Sequence, residues 1–522
     1  MGDSSTITTL EEIIRSYGQS QPDKPLAVFD QRISTYGEVH SRSNRIASGL
    51  ARYGVREGTR VGMIAKNRVE AFEILFATRK LGAVLVPINW RLSPVEMGYI
   101  LNNCRAEIVF ASSEFLGAVD QVRGSLPALR HVVSIDPHAD GLSYDDLLSN
   151  CPDRDPGHRS GPEDVALHLY SSGTTGHPKG VLLANRSVFA FYRNAERWIS
   201  HDPSGVHLNC LPLFHVGGIN WSLQALAQGA QVVSMQDFDP DAALAAIETF
   251  RVTHLMTVPT VVQVLLSRPR ARTTDFSSVK VVIYGGSPIP EKVLKDAIAT
   301  FGSVMYGLYG MTEMSFGATL LTPAEHVDHD HPERLLSVGR PFADTELKVV
   351  DIVTGEEASG GEQGELWFRS PQLAVGYWER PEETAETFRS DGWYRTGDIG
   401  RQVDGYYYVT DRLKDMIISG GENIYPAEIE RVLLEHGDVA DVAVFAVPDE
   451  RWGETPRAEV VLTPGAQTTE GELIEYLRAH LAHYKCPKRI GFRPELPRNA
   501  SGKILRRNLR DPYWTGKDRQ VN

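Results

Sequence analysis

The chain has 522 residues, 42% hydrophobic and 23% charged, and its 54 Lys and Arg against 67 Asp and Glu leave a net charge of −13. Such a length calls for about two to four domain-sized units of ordinary globular composition. The acidic balance excludes nonspecific binding to nucleic acid or anionic membranes, so any phosphate must be met by positive charge supplied locally.

The start, "MGDSSTITTLEEIIRSYG", lacks the basic and apolar regions of a secretory signal. It matches the loose N-myristoylation pattern, but no polybasic second anchor follows. No apolar run reaches the about 18 residues of a membrane span. Cys104, Cys151, Cys210 and Cys486 stand far apart with no Cys-x-x-Cys pair, which reads as thiols in a reducing compartment. The expected location is the cytoplasm.

Periodicity predicts a helix over 9–20, a strand over 25–30, a helix over 35–55, a strand over 60–67 and a helix over 68–82. Strand, helix and strand follow over 83–89, 93–104 and 106–112, and the alternation returns between 240 and 302. Strands alternating with helices imply βαβ units and largely parallel sheets. Near residue 335 the texture turns β-rich and turn-rich. After "DRLKDMIISGGENIYP" it becomes a compact α+β unit. The expected fold is therefore α/β: a large N-terminal domain, 1–411, of two parallel-sheet subdomains plus a small barrel-like β-rich subdomain at about 335–411. A small mobile α+β domain, 412–522, would follow, with a hinge at 411–414.

The stretch "YSSGTTGHPKG" (170–180) follows the apolar run "DVALHLY". Its hydroxyls, glycines and lysine suit an anion held by backbone N–H groups. It is not a Walker A loop, because Gly180 stands where that loop needs a Ser or Thr to hold Mg2+. The histidine-rich tract "EHVDHDHPE" (325–333) reads as a solvated loop. The segment 484–510 carries nine Lys and Arg against one Glu and reads as a local basic surface in an acidic chain.

Taken together, the motifs resemble those of the adenylate-forming superfamily, of the acyl-CoA synthetase type, in family order from about residue 10 to 510. They are "YSSGTTGHPKG", "LPLFHVGG" (211–218), "YGGSPIP" (284–290), "YGLYGMTE" (306–313), "GELWFRS" (364–370), "GWYRTGD" (392–398), the hinge-like "DRLKDMIISGGENIYPAEIE" (411–430) and "PRNASGKILRR" (497–507). The resemblance implies an ATP-dependent acid–thiol ligase that forms an acyl-adenylate and then a thioester, with ATP, Mg2+ and coenzyme A. A stand-alone enzyme loading a carrier protein is the alternative.

The resemblance also implies roles. Thr174, Thr175 and Lys179 hold the β- and γ-phosphates, Thr312 meets the α-phosphate, and Glu313 helps ligate Mg2+, with Thr174 as a second metal contact. Tyr309 stacks on adenine and Gly285, Gly286 and Ser287 line its other side. Asp398 accepts the ribose hydroxyls and Arg412 reinforces it. Lys503 bridges carboxylate and α-phosphate, and His215 stands where acyl pocket meets thiol tunnel. After rotation about Lys414, the segment with Gly420 and Gly421 replaces Lys503. Trp221, Met311, Met314 and Phe316 either line an apolar pocket for an aliphatic, aryl or polycyclic acid or belong to the core behind it. A homodimer is a candidate assembly; neither nucleic acid nor stable membrane insertion is expected.

Overall fold

The structure is a computed structural model that describes residues 7–30, 32–137, 141–171, 178–199, 202–419, 422–449, 451–498 and 504–515. Its described residues form two compact units, one of 1–346 with 369–394 and the other of 347–368 with 395–522.

The first unit is α/β, as the alternating pattern implies. One sheet has nine strands, in spatial order Arg340–Pro341, Thr319–Leu321, Met305–Tyr309, Val281–Gly285, His254–Thr257, Val206–Asn209, Gln231–Ser234, Pro25–Phe29 and Arg32–Thr35. Its six inner strands run parallel, and antiparallel strands close both edges. A second sheet of five strands, around Arg60–Ile64, is parallel throughout. Their near-continuous apolar strands are buried on both faces by helices, as parallel sheets require. A third, antiparallel sheet sets Lys179–Ala184 between Val165–Ser171 and Gly376–Tyr377.

Helix limits follow local chemistry. Thr35, Ser93 and Thr469 each cap a helix and pair with a glutamate three residues on, the capping box. The strand Arg32–Thr35 has no expectation in the sequence; it is short, and two of its four residues are exposed.

In the second unit, four strands, Glu346–Val350, Gly364–Arg369, Tyr394–Val403 and Tyr406–Arg412, form an open sheet. The barrel-like expectation is corrected here: among the described residues no sheet closes on itself. Turn-rich sequence reports strands and hairpins but not the stagger that closure needs. A mixed sheet follows, in which Gly453–Leu462 pairs antiparallel with Val439–Asp449 and parallel with Arg489–Phe492, backed by the helices Pro426–Leu434 and Glu470–His480. The eight described basic residues of 484–510 all make ion pairs. Lys485 meets Glu428, Lys488 Asp449, Arg489 Glu470, Arg493 Glu459, Arg498 Asp441 and Arg506 Glu430, while Arg507 and Arg510 meet Asp511. The segment is thus charge-matched rather than a bare basic surface.

Inside the nine-stranded sheet, His207 and His254 lie in register on adjacent strands. Their rings stack 4.2 Å apart, and Trp221 lies 5.1 Å from His207. Burial pushes His254 from 6.5 down to about 4 and His207 well below its ordinary value. Both are neutral in the fold, whereas the unfolded chain takes up protons near 6.5. Their stabilisation is present above that pH and is lost as pH falls towards 4. A depression of that size is worth about 3 kcal/mol for His254 alone. Melting temperature is therefore expected to fall steeply below pH 6.5. A His207→Gln/His254→Gln variant should melt lower at neutral pH but with a flatter acid slope; an unchanged slope would refute the assignment.

Candidate active site

The carboxyl ends of Val281–Gly285 and Met305–Tyr309 lie side by side, Gly285 opposite Leu308. Parallel sheets bind ligands at such ends. A Cβ on Gly285 would sit 2.5 Å from the Leu308 carbonyl oxygen, so only glycine fits. Gly286 has φ +81°, the left-handed region that glycine occupies without strain. Gly286 and Ser287 are exposed at the strand end, and Tyr309 is half-buried.

The next turn, Thr312–Met314, is a single 3-10 turn ended by Ser315 at φ +61°. It is strapped down from two sides. Asn220 donates to the Ser315 carbonyl, Gln372 Nε2 donates to Met314 O at 3.0 Å, and Ala374 N–H donates to Glu313 O at 2.8 Å. These bonds fix Glu313, which is only 9% exposed.

Its carboxylate Oε1 accepts the Tyr377 hydroxyl at 3.0 Å. Burial, and then Glu313 itself, push the Tyr377 phenol well above its ordinary value, so it stays a donor. Lys179 lies over the Tyr377 ring, its Nζ 5.0 Å from the ring centroid. Lys179 Nζ is also 2.5 Å from Glu383 Oε1, and Arg380 holds the second oxygen of Glu383 at 3.0 Å. Lysine, tyrosine and glutamate therefore form one chain of contacts, because Gly376–Tyr377 pairs with the strand that Lys179 begins. Tyr377 and Glu383 have no counterpart among the residues singled out in the sequence.

His215 is the N-cap of the helix Val216–Ala227. Burial, and secondarily Arg91, push its imidazole down to about 4, and its Nε2 has no hydrogen-bond partner among the described residues. It is a neutral ring at physiological pH. Behind the strand ends lies an apolar cavity of about 10 Å3, lined by Phe191, Trp221, Ile283, Leu308, Phe316 and Phe342 among others. Trp221 and Phe316 are among the four residues expected; Met311 and Met314 are absent from that lining.

In the second unit, Asp398 is buried and faces Arg412 across paired strands, Arg412 Nε lying 3.3 Å from Asp398 Oδ1. Glu365 of "GELWFRS" accepts the Gly397 N–H at 2.9 Å and the Arg395 Nε at 3.1 Å, so it shapes the "RTGD" turn. Lys414 sits in the turn after Arg412, and burial lowers its pKa. Thr174, Thr175, Gly420, Gly421 and Lys503 lie outside the described residues. In the tract 325–333, His326 turns inward and meets the Tyr284 hydroxyl at 2.8 Å. Among the described residues no cluster of three or more His, Cys, Asp or Glu suits a metal.

The family model of the AMP-binding enzymes matches residues 14–378, and that of the AMP-binding enzyme C-terminal domain matches 428–503.

The chain belongs to the AMP-binding enzyme family.

Within it, this adenylate-forming enzyme is of the acyl-CoA synthetase type, whose members use ATP, Mg2+ and coenzyme A. It is 38% identical to the fatty acid–[acyl-carrier-protein] ligase ScoC of Streptomyces coeruleorubidus, over 99% of this chain and 98% of that one. It is 37% identical to the indoleacetate–CoA ligase of Aromatoleum aromaticum, over 96% and 97%. The crystal structure of ATP-bound MatB from Rhodopseudomonas palustris superposes with a TM-score of 0.87 at 29% identity, covering 97% of this AMP-binding enzyme and 99% of MatB. Among the described residues no helix is long and apolar enough to cross a membrane.

Proposed function

We propose that this enzyme joins a carboxylic acid to the AMP moiety of ATP, releases pyrophosphate, and then passes the acyl group to the thiol of coenzyme A. The observation that carries this reading is the contact chain Lys179–Tyr377–Glu313 beside the adjoining strand ends. It sets a cation and a carboxylate at fixed places next to a backbone shaped for close approach.

The single carboxylate of Glu313 fits Mg2+, which keeps several waters and takes one or two carboxylates together with substrate phosphate oxygens. Bound there, the ion would neutralise phosphate charge. The protein's own groups do the rest. Tyr377 orients the Glu313 carboxylate. Glu383 holds Lys179 in place until a phosphate competes for its ammonium, and Thr174 and Thr175 are assigned to the same phosphates. Thr312 donates to the α-phosphate, Tyr309 stacks on the base, and Gly285, Gly286 and Ser287 let the backbone approach it. Asp398 accepts the ribose hydroxyls with its two oxygens, and Arg412 pairs with it across the strands. Lys503 neutralises the attacking carboxylate, and the lobe after 411–414 then turns about Lys414 to bring Gly420 and Gly421 into play. His215, being neutral, offers shape and one hydrogen bond rather than charge.

The cavity wall supports an apolar acyl or aryl acid. At about 10 Å3 the cavity has room for roughly one water, so an acyl group enters only as these side chains yield. The four buried thiols, none in a disulfide, support a reducing, cytoplasmic setting. The deciding experiment is a panel of aliphatic and aryl acids with ATP and Mg2+, scored for coenzyme A thioester and pyrophosphate. Thioester is expected with apolar acids; pyrophosphate release without consumption of coenzyme A would reject the acceptor. The second reading, loading of a separate acyl carrier protein, is favoured by the likeness to ScoC over nearly the full length. Acylation of a phosphopantetheinylated carrier in preference to coenzyme A would establish it.

A further inference from the structure

In the second unit, Arg506 begins the helix Arg506–Trp514, three residues after Lys503. Its guanidinium grips the Glu430 carboxylate with both oxygens, Nη2 at 2.8 and 2.6 Å and Nε at 3.2 Å. Glu430 is itself held, since its Oε1 accepts the Val444 N–H at 2.7 Å. Nη1 of the same arginine lies 3.7 Å from Asp415. Asp411 faces it as a third carboxylate and is anchored by the N–H groups of Arg412 and Ala427, each at 2.8 Å. Asp411 and Asp415 bracket Lys414, the expected pivot. The arginine therefore ties three things together: the hinge turn, the helix Pro426–Leu434, and the root of the segment 499–503. That root is closed by the bridge between Arg498 and Ile504 and by the Leu505 N–H on the Pro497 carbonyl at 2.8 Å.

We propose that Arg506 is a positioning residue for the adenylation half-reaction: held by Glu430 and the two hinge carboxylates, it fixes the base from which Lys503 is presented. The inference rests on the adenylation role assigned to Lys503. A bidentate grip on a planar guanidinium is directional, and lysine reproduces its charge but not its fork. Burial raises Asp411 to about 7 even with the positive charge of Arg506 drawing it down, so the arginine opposes protonation of that hinge carboxylate.

The test measures two half-reactions in the full-length enzyme: carboxylate-dependent ATP–pyrophosphate exchange, and thioester formation from supplied acyl-adenylate. Arg506→Gln is expected to lower exchange by about 10²-fold, the loss that misplacement by about 1 Å can cause. Thioester formation should stay within severalfold. Arg506→Lys should recover only part of the exchange, and Glu430→Gln, which keeps shape, should fall in the same direction. Because the readout is a ratio measured on one sample, partial unfolding cancels. Equal loss in both half-reactions, or no loss in either, overturns the proposal. Lys503→Ala run alongside separates the two ideas. If that variant keeps normal exchange, the role of Lys503 fails; if it loses exchange and Arg506→Gln does not, the positioning role fails.

Discussion

Lys503→Ala is expected to depress carboxylate-dependent ATP–pyrophosphate exchange by about 10²–10³-fold, the usual consequence of deleting one preorganised charged donor, while thioester formation from supplied acyl-adenylate continues within severalfold. The first step presses a carboxylate against a triphosphate, so like charges must be neutralised as the bond forms. The second step joins a thiol to an anhydride already made, and the same cation has no anion pair to bridge. The asymmetry should invert at the hinge. Lys414→Pro removes a backbone N–H and locks φ, which hinders turning while substituting none of the side chains assigned to adenylation. That variant should exchange pyrophosphate normally and make thioester poorly. Parallel decline in both half-reactions for Lys503→Ala would sink the two-orientation account.

Glu313→Gln should lower exchange by a similar factor of about 10²–10³, with a marked rise in the Mg2+ concentration needed for half-maximal rate. The amide keeps nearly the same shape and can still accept from Tyr377, so packing of the strapped 3-10 turn is preserved and only charge is lost. Tyr377→Phe supplies the comparison. It keeps the carboxylate but removes the hydroxyl that aims it, and a smaller loss is expected, with an intermediate shift in Mg2+ dependence. An unaltered metal requirement in Glu313→Gln would remove Glu313 from the metal site.

The parallel core was legible because strand and helix periods alternate plainly from 9 to 112 and return after 240. The strand-end glycines entered the sequence reading only through the resemblance; the structure sets Gly285 against the Leu308 carbonyl, where a Cβ would sit 2.5 Å away. Tyr377 and Glu383 were not. They reach Lys179 only through an antiparallel pairing between segments remote in the chain, and no local pattern encodes that register. The open four-stranded sheet was misread as barrel-like because closure depends on stagger, which turn residues do not report. The run 484–510 misled in another way. Counting charge along one segment sees nine cations; most of the anions that answer them lie on other elements, from Glu428 to Glu470.

That matching changes how the C-terminal lobe meets an anion. A bare cluster of lysines and arginines attracts polyanions from afar, and its pull fades with ionic strength over a Debye length of about 8 Å in physiological salt. Eight cations closed on seven carboxylates, Arg507 and Arg510 sharing Asp511, present largely local dipoles instead, whose field falls off faster than that of a bare charge. A phosphate approaching these eight described cations is not drawn in from solution by their long-range field. It is admitted by fit at contact, and capture by these groups should be largely indifferent to the salt around them.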